Sequence, residues 1–123
     1  MKWIVLVALL APISNSVAVA DPAEVPVRRV AMSFVIGGTV IASPTMLVGG
    51  DQCQTFRHGL VDETPAVAIE YCASADDRVR IRWVIRRDGR VLAREVTGPF
   101  AEGATFEAGI PDVIDVPVEV SAP

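Results

Sequence analysis

Between Arg78 and Thr97 the chain carries two alternating runs, RVRIRWVIRR and RVLAREVT, separated only by Asp88-Gly89. Asp-Gly at this position is the sequence of a two-residue type I′ turn, whose twist matches that of the strands it joins. Such a turn permits one register. Arg87 then faces Arg90, Ile85 faces Leu92, Trp83 faces Arg94, and Ile81 faces Val96. One face of the hairpin is therefore expected to carry Val79, Ile81, Trp83, Ile85, Leu92 and Val96. The other sets Arg80 opposite Thr97, Arg82 opposite Glu95, Val84 opposite Ala93 and Arg86 opposite Val91. Arg94 is expected to lay its apolar stem over the Trp83 ring.

A second hairpin is read some fifty residues earlier. Val30–Ile36 runs into Gly37-Gly38 and then Thr39-Val40-Ile41-Ala42. The same turn rule sets Phe34 opposite Ile41 and Ile36 opposite Thr39, with Met32 on the same face. Gly38–Ala42 aligns with Gly89–Ala93, and Thr55-Phe56 aligns with Thr105-Phe106, at nearly the same offset. This internal repeat suggests two related halves packed as two sheets, each half a hairpin followed by one more strand. Further strands are expected at Thr45–Val48, Gln52–Phe56, Ala66–Ser74, Ala104–Ala108 and Val113–Val120. Gly49-Gly50-Asp51 turns between the first two. Pro117 lacks a ladder donor, which places the last strand at a sheet edge.

The N-terminus reads as a secretory leader. Lys2 supplies a positive start, Trp3–Ala11 an apolar run, and Ala18-Val19-Ala20 a small-x-small cleavage pattern. The run is interrupted at Pro12, short of the ~20 apolar residues that a membrane-spanning helix needs. Residues 1–20 are thus expected to be a signal peptide and 21–26 a flexible lead-in. Residues 27–120 would form a single domain and 121–123 a tail. The protein would be soluble, periplasmic or secreted.

Cys53 and Cys72 are the two cysteines. In a small exported domain an even count reads as a disulfide, and no Cys-x-x-Cys spacing suggests a metal or redox pair. The formal charge is −4, and −5 once Lys2, the only lysine, leaves with the leader. An acidic balance argues against general binding to nucleic acid or anionic membranes.

Signals for chemistry are sparse. His58, the only histidine, lies between Arg57 and Gly59 and is expected in an exposed loop. Asp62-Glu63 and Asp76-Asp77 lack the spaced oxygens of a calcium loop. Gly37-Gly38 and Gly49-Gly50 open no helix, so they make no phosphate cradle. No Gly-x-Ser-x-Gly elbow is present. Seven arginines (78, 80, 82, 86, 87, 90 and 94) crowd one hairpin, whereas residues 101–123 are acidic and carry no base. The expected role of these arginines is a solvated strand face partly neutralised by the acidic C-terminal third; the rival reading is a basic patch for an anionic partner such as lipopolysaccharide, a nucleic acid or an acidic protein.

Residues 40–59, VIASPTMLVGGDQCQTFRHG, resemble a strand-turn-strand stretch in the β-domain of bacterial secretins, through Ser43, Pro44, Leu47, Gly50 and Gly59. The resemblance implies kinship with small envelope β-domains. Secretins are far longer, so their pore function does not carry over.

The resulting expectation is an all-β protein: a small antiparallel β-sandwich of seven or eight short strands, stapled by Cys53–Cys72. No catalytic, cofactor or metal site is expected. The function expected is that of a non-enzymatic binding or accessory protein of the bacterial envelope, meeting a protein partner through a sheet edge or loops. Arg80, Arg82, Arg86, Val116 and Val118 are the candidate partner surface. A secreted protease inhibitor, with residues 21–26 as an arm, is the alternative, and a small periplasmic enzyme is third. Self-association into a homodimer is left open.

Overall fold

Alternation governs Arg78–Arg87: Val79, Ile81, Trp83 and Ile85 are buried, and the side chains between them lie on the solvent side. The computed structural model describes residues 25–50, 53–59 and 66–123; the leader therefore lies outside the described residues. In chain order the strands are β1 (Arg28–Met32), β2 (Phe34–Ile36), β3 (Thr39–Ala42), β4 (Thr45–Val48) and β5 (Gln54–His58). They continue with β6 (Ala66–Ser74), β7 (Arg78–Arg87), β8 (Arg90–Pro99), β9 (Thr105–Glu107) and β10 (Pro117–Ser121). Among the described residues the fold is all-β and holds ten strands rather than seven or eight.

Two four-stranded antiparallel sheets, β4-β1-β10-β9 and β5-β6-β7-β8, contribute the core, and β2-β3 forms a separate two-stranded ribbon. Val30, Met32, Val48, Val116, Val118 and Val120 meet Val67, Ile69, Tyr71, Ile81, Trp83 and Ile85 in one apolar cluster. Phe34 meets Trp83 edge to face, with ring centroids 5.5 Å apart. That is a favoured aromatic geometry.

The β7–β8 register is the one the turn rule demands, from Arg87↔Arg90 through Arg80↔Thr97. Asp88 and Gly89 both hold positive φ, 53° and 74°, as a type I′ turn requires. Arg94 sends its guanidinium to the Gly109 carbonyl. Trp83 Nε1 donates to the adjacent Ala108 carbonyl at 2.8 Å.

The first hairpin departs from expectation in two ways. Ile36↔Thr39 holds, but Phe34 faces Ala42 rather than Ile41, because a bulge between Phe34 and Val35 shifts the register. Moreover Val30–Ile36 is not one strand. The chain leaves the β1 ladder at Ser33, whose N–H donates to the Pro117 carbonyl, and Val35 then exchanges backbone bonds with Asp115. The aligned halves thus have different surroundings: Ile85 sits inside a four-stranded sheet and Phe34 in a two-stranded ribbon. Likewise β4 and β5 join different sheets across the Gly49-Gly50 turn.

The last strand also requires correction. It spans Pro117–Ser121, not Val113–Val120, and lies inside its sheet between β1 and β9. Pro117 is tolerated because it is the first residue of the strand, where no ladder donor is needed. Val116 and Val118 are fully buried. The lead-in, too, is held at its end: Val25 is buried, and its carbonyl accepts from the Gly50 N–H at 3.0 Å.

Cys53, just before β5, and Cys72 in β6 form the expected disulfide, with their Cα atoms 4.3 Å apart. Replacing both by serine should lower the unfolding free energy by about 3 kcal/mol, from the loop-closure entropy restored to the unfolded chain. The shift in urea midpoint measures this.

Tyr71 is fully buried, and its hydroxyl has no hydrogen-bond partner among the described residues. Burial raises its pKa well above the ordinary phenol value. Above pH ~10 the unfolded chain gives up a proton that the folded chain keeps. Stability should therefore fall with rising pH there, by up to about 1.4 kcal/mol per pH unit. Tyr71 is the only tyrosine, so Tyr71→Phe should abolish this component of the alkaline slope, as read from urea midpoints across that range.

Candidate functional site

The register of β5, β6, β7 and β8 defines one solvent-facing surface. Across the sheet its rows run Arg57–Ala68–Val84–Ala93, then Thr55–Glu70–Arg82–Glu95, then Cys72–Arg80–Thr97. In the opposite direction Ala66, Arg86 and Val91 form the row nearest the β7–β8 turn. These ladder positions carry five arginines (57, 78, 80, 82 and 86) against two carboxylates, Glu70 and Glu95. A positive face thus stands on an acidic chain.

The arginines fall into two sets. Arg82 lies 3.3 Å from Glu70 and 3.7 Å from Glu95, and Arg80 lies 3.9 Å from Glu95. Arg80 also reaches the Cys72 sulfur at 3.5 Å. This ladder of two bases and two acids largely neutralises the middle of the face. Arg57 and Arg86 have no carboxylate within ion-pair distance among the described residues.

Between Arg57 and Arg86 lies an open groove of about 420 Å³, lined also by His58, Ala66, Ala68 and Val84. Its origin is side-chain size. The outward positions of β6 at this end are alanines, while the flanking strands present arginines. A row of short side chains between two rows of long ones leaves a trough. Two strand spacings and one pleat repeat put the Cα atoms of Arg57 and Arg86 roughly 12 Å apart. Their flexible stems can therefore bring both guanidinia over the alanine floor.

Of the residues singled out from the sequence, Arg80, Arg82 and Arg86 do share this face. Only Arg86 lines the groove. Val116 and Val118 face the core and contribute to no surface. His58 belongs to the end of β5 rather than to a loop; it is exposed and stacks on Phe56, with centroids 6.5 Å apart. Sequence reasoning passed over Arg57, Ala66 and Ala68. The available signal was the alternation of β6, whose outward positions begin with two alanines beside an arginine-rich strand.

Cys53, Glu70 and Cys72 bring potential ligand atoms within 4.8 Å of one another. The two sulfurs are joined in the disulfide, however, and so offer no thiolate to a metal.

Comparisons with protein-family models, with curated proteins and with solved structures give no match. The reading of this surface accordingly rests on its own geometry.

Removing one acid from the ladder separates its stability from its charge. Glu95→Gln should cost less than about 1 kcal/mol, because exposed ion pairs contribute little. It should also release Arg80, while Arg82 keeps its pairing with Glu70. The expected result is a nearly unchanged melting temperature with later elution from a cation exchanger at low salt.

Proposed function

We propose that the protein is an exported, non-enzymatic binding or accessory module of the bacterial envelope. It recognises an anionic partner through the outer face of the β5–β8 sheet, not through the C-terminal strand. The observation that carries this reading is the division of the arginines. Arg80 and Arg82 are matched by Glu70 and Glu95, whereas Arg57 and Arg86 flank the alanine floor with no carboxylate in ion-pair distance among the described residues.

Compartment and chemistry support the same reading. A disulfide persists in an oxidising environment outside the cytoplasm. Among the described residues no helix is long and apolar enough to cross a membrane. The leader pattern at residues 1–20 would deliver the chain to such a compartment. Guanidinium groups carry a fixed charge and a planar fork of donors, so a groove walled by two of them suits recognition of an anion.

Site-directed photo-crosslinking in the producing cell tests this proposal. A benzophenone side chain at position 93, beside Val84, samples the proposed face; one at position 119 samples the outer face of the other sheet. Mass spectrometry of the adducts, protein or small molecule, should show a dominant species at position 93 that is missing at position 119. No adduct at 93, or the same adducts at both positions, would refute the assignment of the face.

A further inference from the structure

We propose that the Arg57–Arg86 groove is a binding site for a small amphiphilic carboxylate, an anionic head joined to a short aliphatic chain. This rests on the outer-face reading and specifies its ligand.

Length and boundary of the groove select a compact ligand. Toward Glu70 it continues as an adjoining trough of about 240 Å³, but that stretch is lined by the paired Glu70 and Arg82, 3.3 Å apart. The part of the floor without a carboxylate is the two rows holding Ala66 and Ala68, a run of about 7 Å along the strand. A long extended peptide lying along β6 would meet the Glu70 carboxylate; a short chain crossing the alanines would not. The volume of about 420 Å³ falls in the range of small-molecule sites.

Charge and polarity select the chemistry. Arg57 and Arg86 approach from opposite sides of β6, and each guanidinium can form paired hydrogen bonds with a carboxylate. Ala66, Ala68 and Val84 offer aliphatic surface between them, and His58 and Gly59 also line the groove. A highly hydroxylated ligand would place polar groups against the alanine and valine side chains, at a cost that a methylene chain avoids. The carboxylate of Glu70, two residues along β6 from Ala68, repels an anionic head and favours its placement toward Arg86 in the Ala66 row.

The test is a titration of the ¹⁵N-labelled, disulfide-bonded protein with sodium octanoate, following the Arg57 and Arg86 Nε–Hε signals and the Ala66, Ala68 and Val84 amides. Saturable shifts at these positions are expected. Acetate should bind at least about tenfold more weakly, because it lacks the chain that the floor would bury. The double variant Arg57→Gln, Arg86→Gln should lose about tenfold or more in octanoate affinity while keeping its amide spectrum elsewhere. Octyltrimethylammonium, with the same chain and opposite charge, should leave the arginine signals unmoved.

No saturable shift with octanoate, undiminished binding by the double variant, or equal binding of acetate would overturn the proposal. So would inorganic phosphate binding as tightly as octanoate. If the titration fails while the position-93 adduct persists, the ligand assignment falls and the assignment of the face survives. Loss of that adduct as well would remove both.

Discussion

Trp83 is the largest fully buried side chain in the core, and its indole N–H must find an acceptor there or cost the fold an unsatisfied donor. It finds the Ala108 carbonyl, 2.8 Å away in the segment that leads from β9 to β10. The neighbouring Gly109 carbonyl takes the Arg94 guanidinium from the facing position on β8. Side chains of one sheet are thereby tied to the backbone of the other at adjacent residues. The receiving segment is itself braced, since the Glu107 carboxylate accepts from the N–H groups of Gly109 and Val116. Gly109 has no substitute here: a Cβ would fall 2.2 Å from the Ile114 carbonyl oxygen. Arg28 of β1 adds a second directional tie by donating to the Phe100 carbonyl at 2.7 Å, and the Trp83 and Arg94 group sets how β9 and β10 lie against β7 and β8.

That anchoring has a consequence for the opposite side of the β7–β8 hairpin. Because strand side chains alternate, holding Trp83 inward holds Arg82 and Val84 outward. The charged ladder and the apolar floor of the groove are consequently displayed by the residues between the core residues. The Arg–Glu ladder contributes little to stability, as exposed pairs generally do. Its effect is to cancel charge locally, which leaves Arg57 and Arg86 as the polar elements flanking the alanines. Selectivity on this face thus comes as much from which arginines are neutralised as from which are present.

The structure also assigns the valines of the C-terminal segment to stability rather than recognition. Val116, Val118 and Val120 fill the core opposite the β6 and β7 residues. The strand that carries Val118 and Val120 is enclosed by β1 and β9, so its ladder groups are already paired. Proline in this strand reads as an edge signal only if it lies within the ladder. At the first position it carries no such meaning, and its carbonyl is still free to accept from Ser33.

Local chemistry in the sequence by itself determined the all-β class, the β7–β8 register, the extents of β4 and β6, and the Cys53–Cys72 pairing. Each depends on short-range features: two-residue turn geometry, alternation, and an even pair of cysteines with no Cys-x-x-Cys spacing. Tertiary structure alone decided the break at Ser33, the bulge that moved Phe34 onto Ala42, the interior position of β10 and the groove between Arg57 and Arg86. Those features arise from pairings between residues far apart in the chain. The β5–β6 and β6–β7 registers are not set by any two-residue turn, so the row Arg57–Ala68–Val84 could not be read along the sequence. Burial of Val67, Ile69 and Tyr71 against the second sheet, together with the three-residue Ala75–Asp77 connection in which Asp77 holds a φ of 61°, selects those registers and with them the residues that share the outer face.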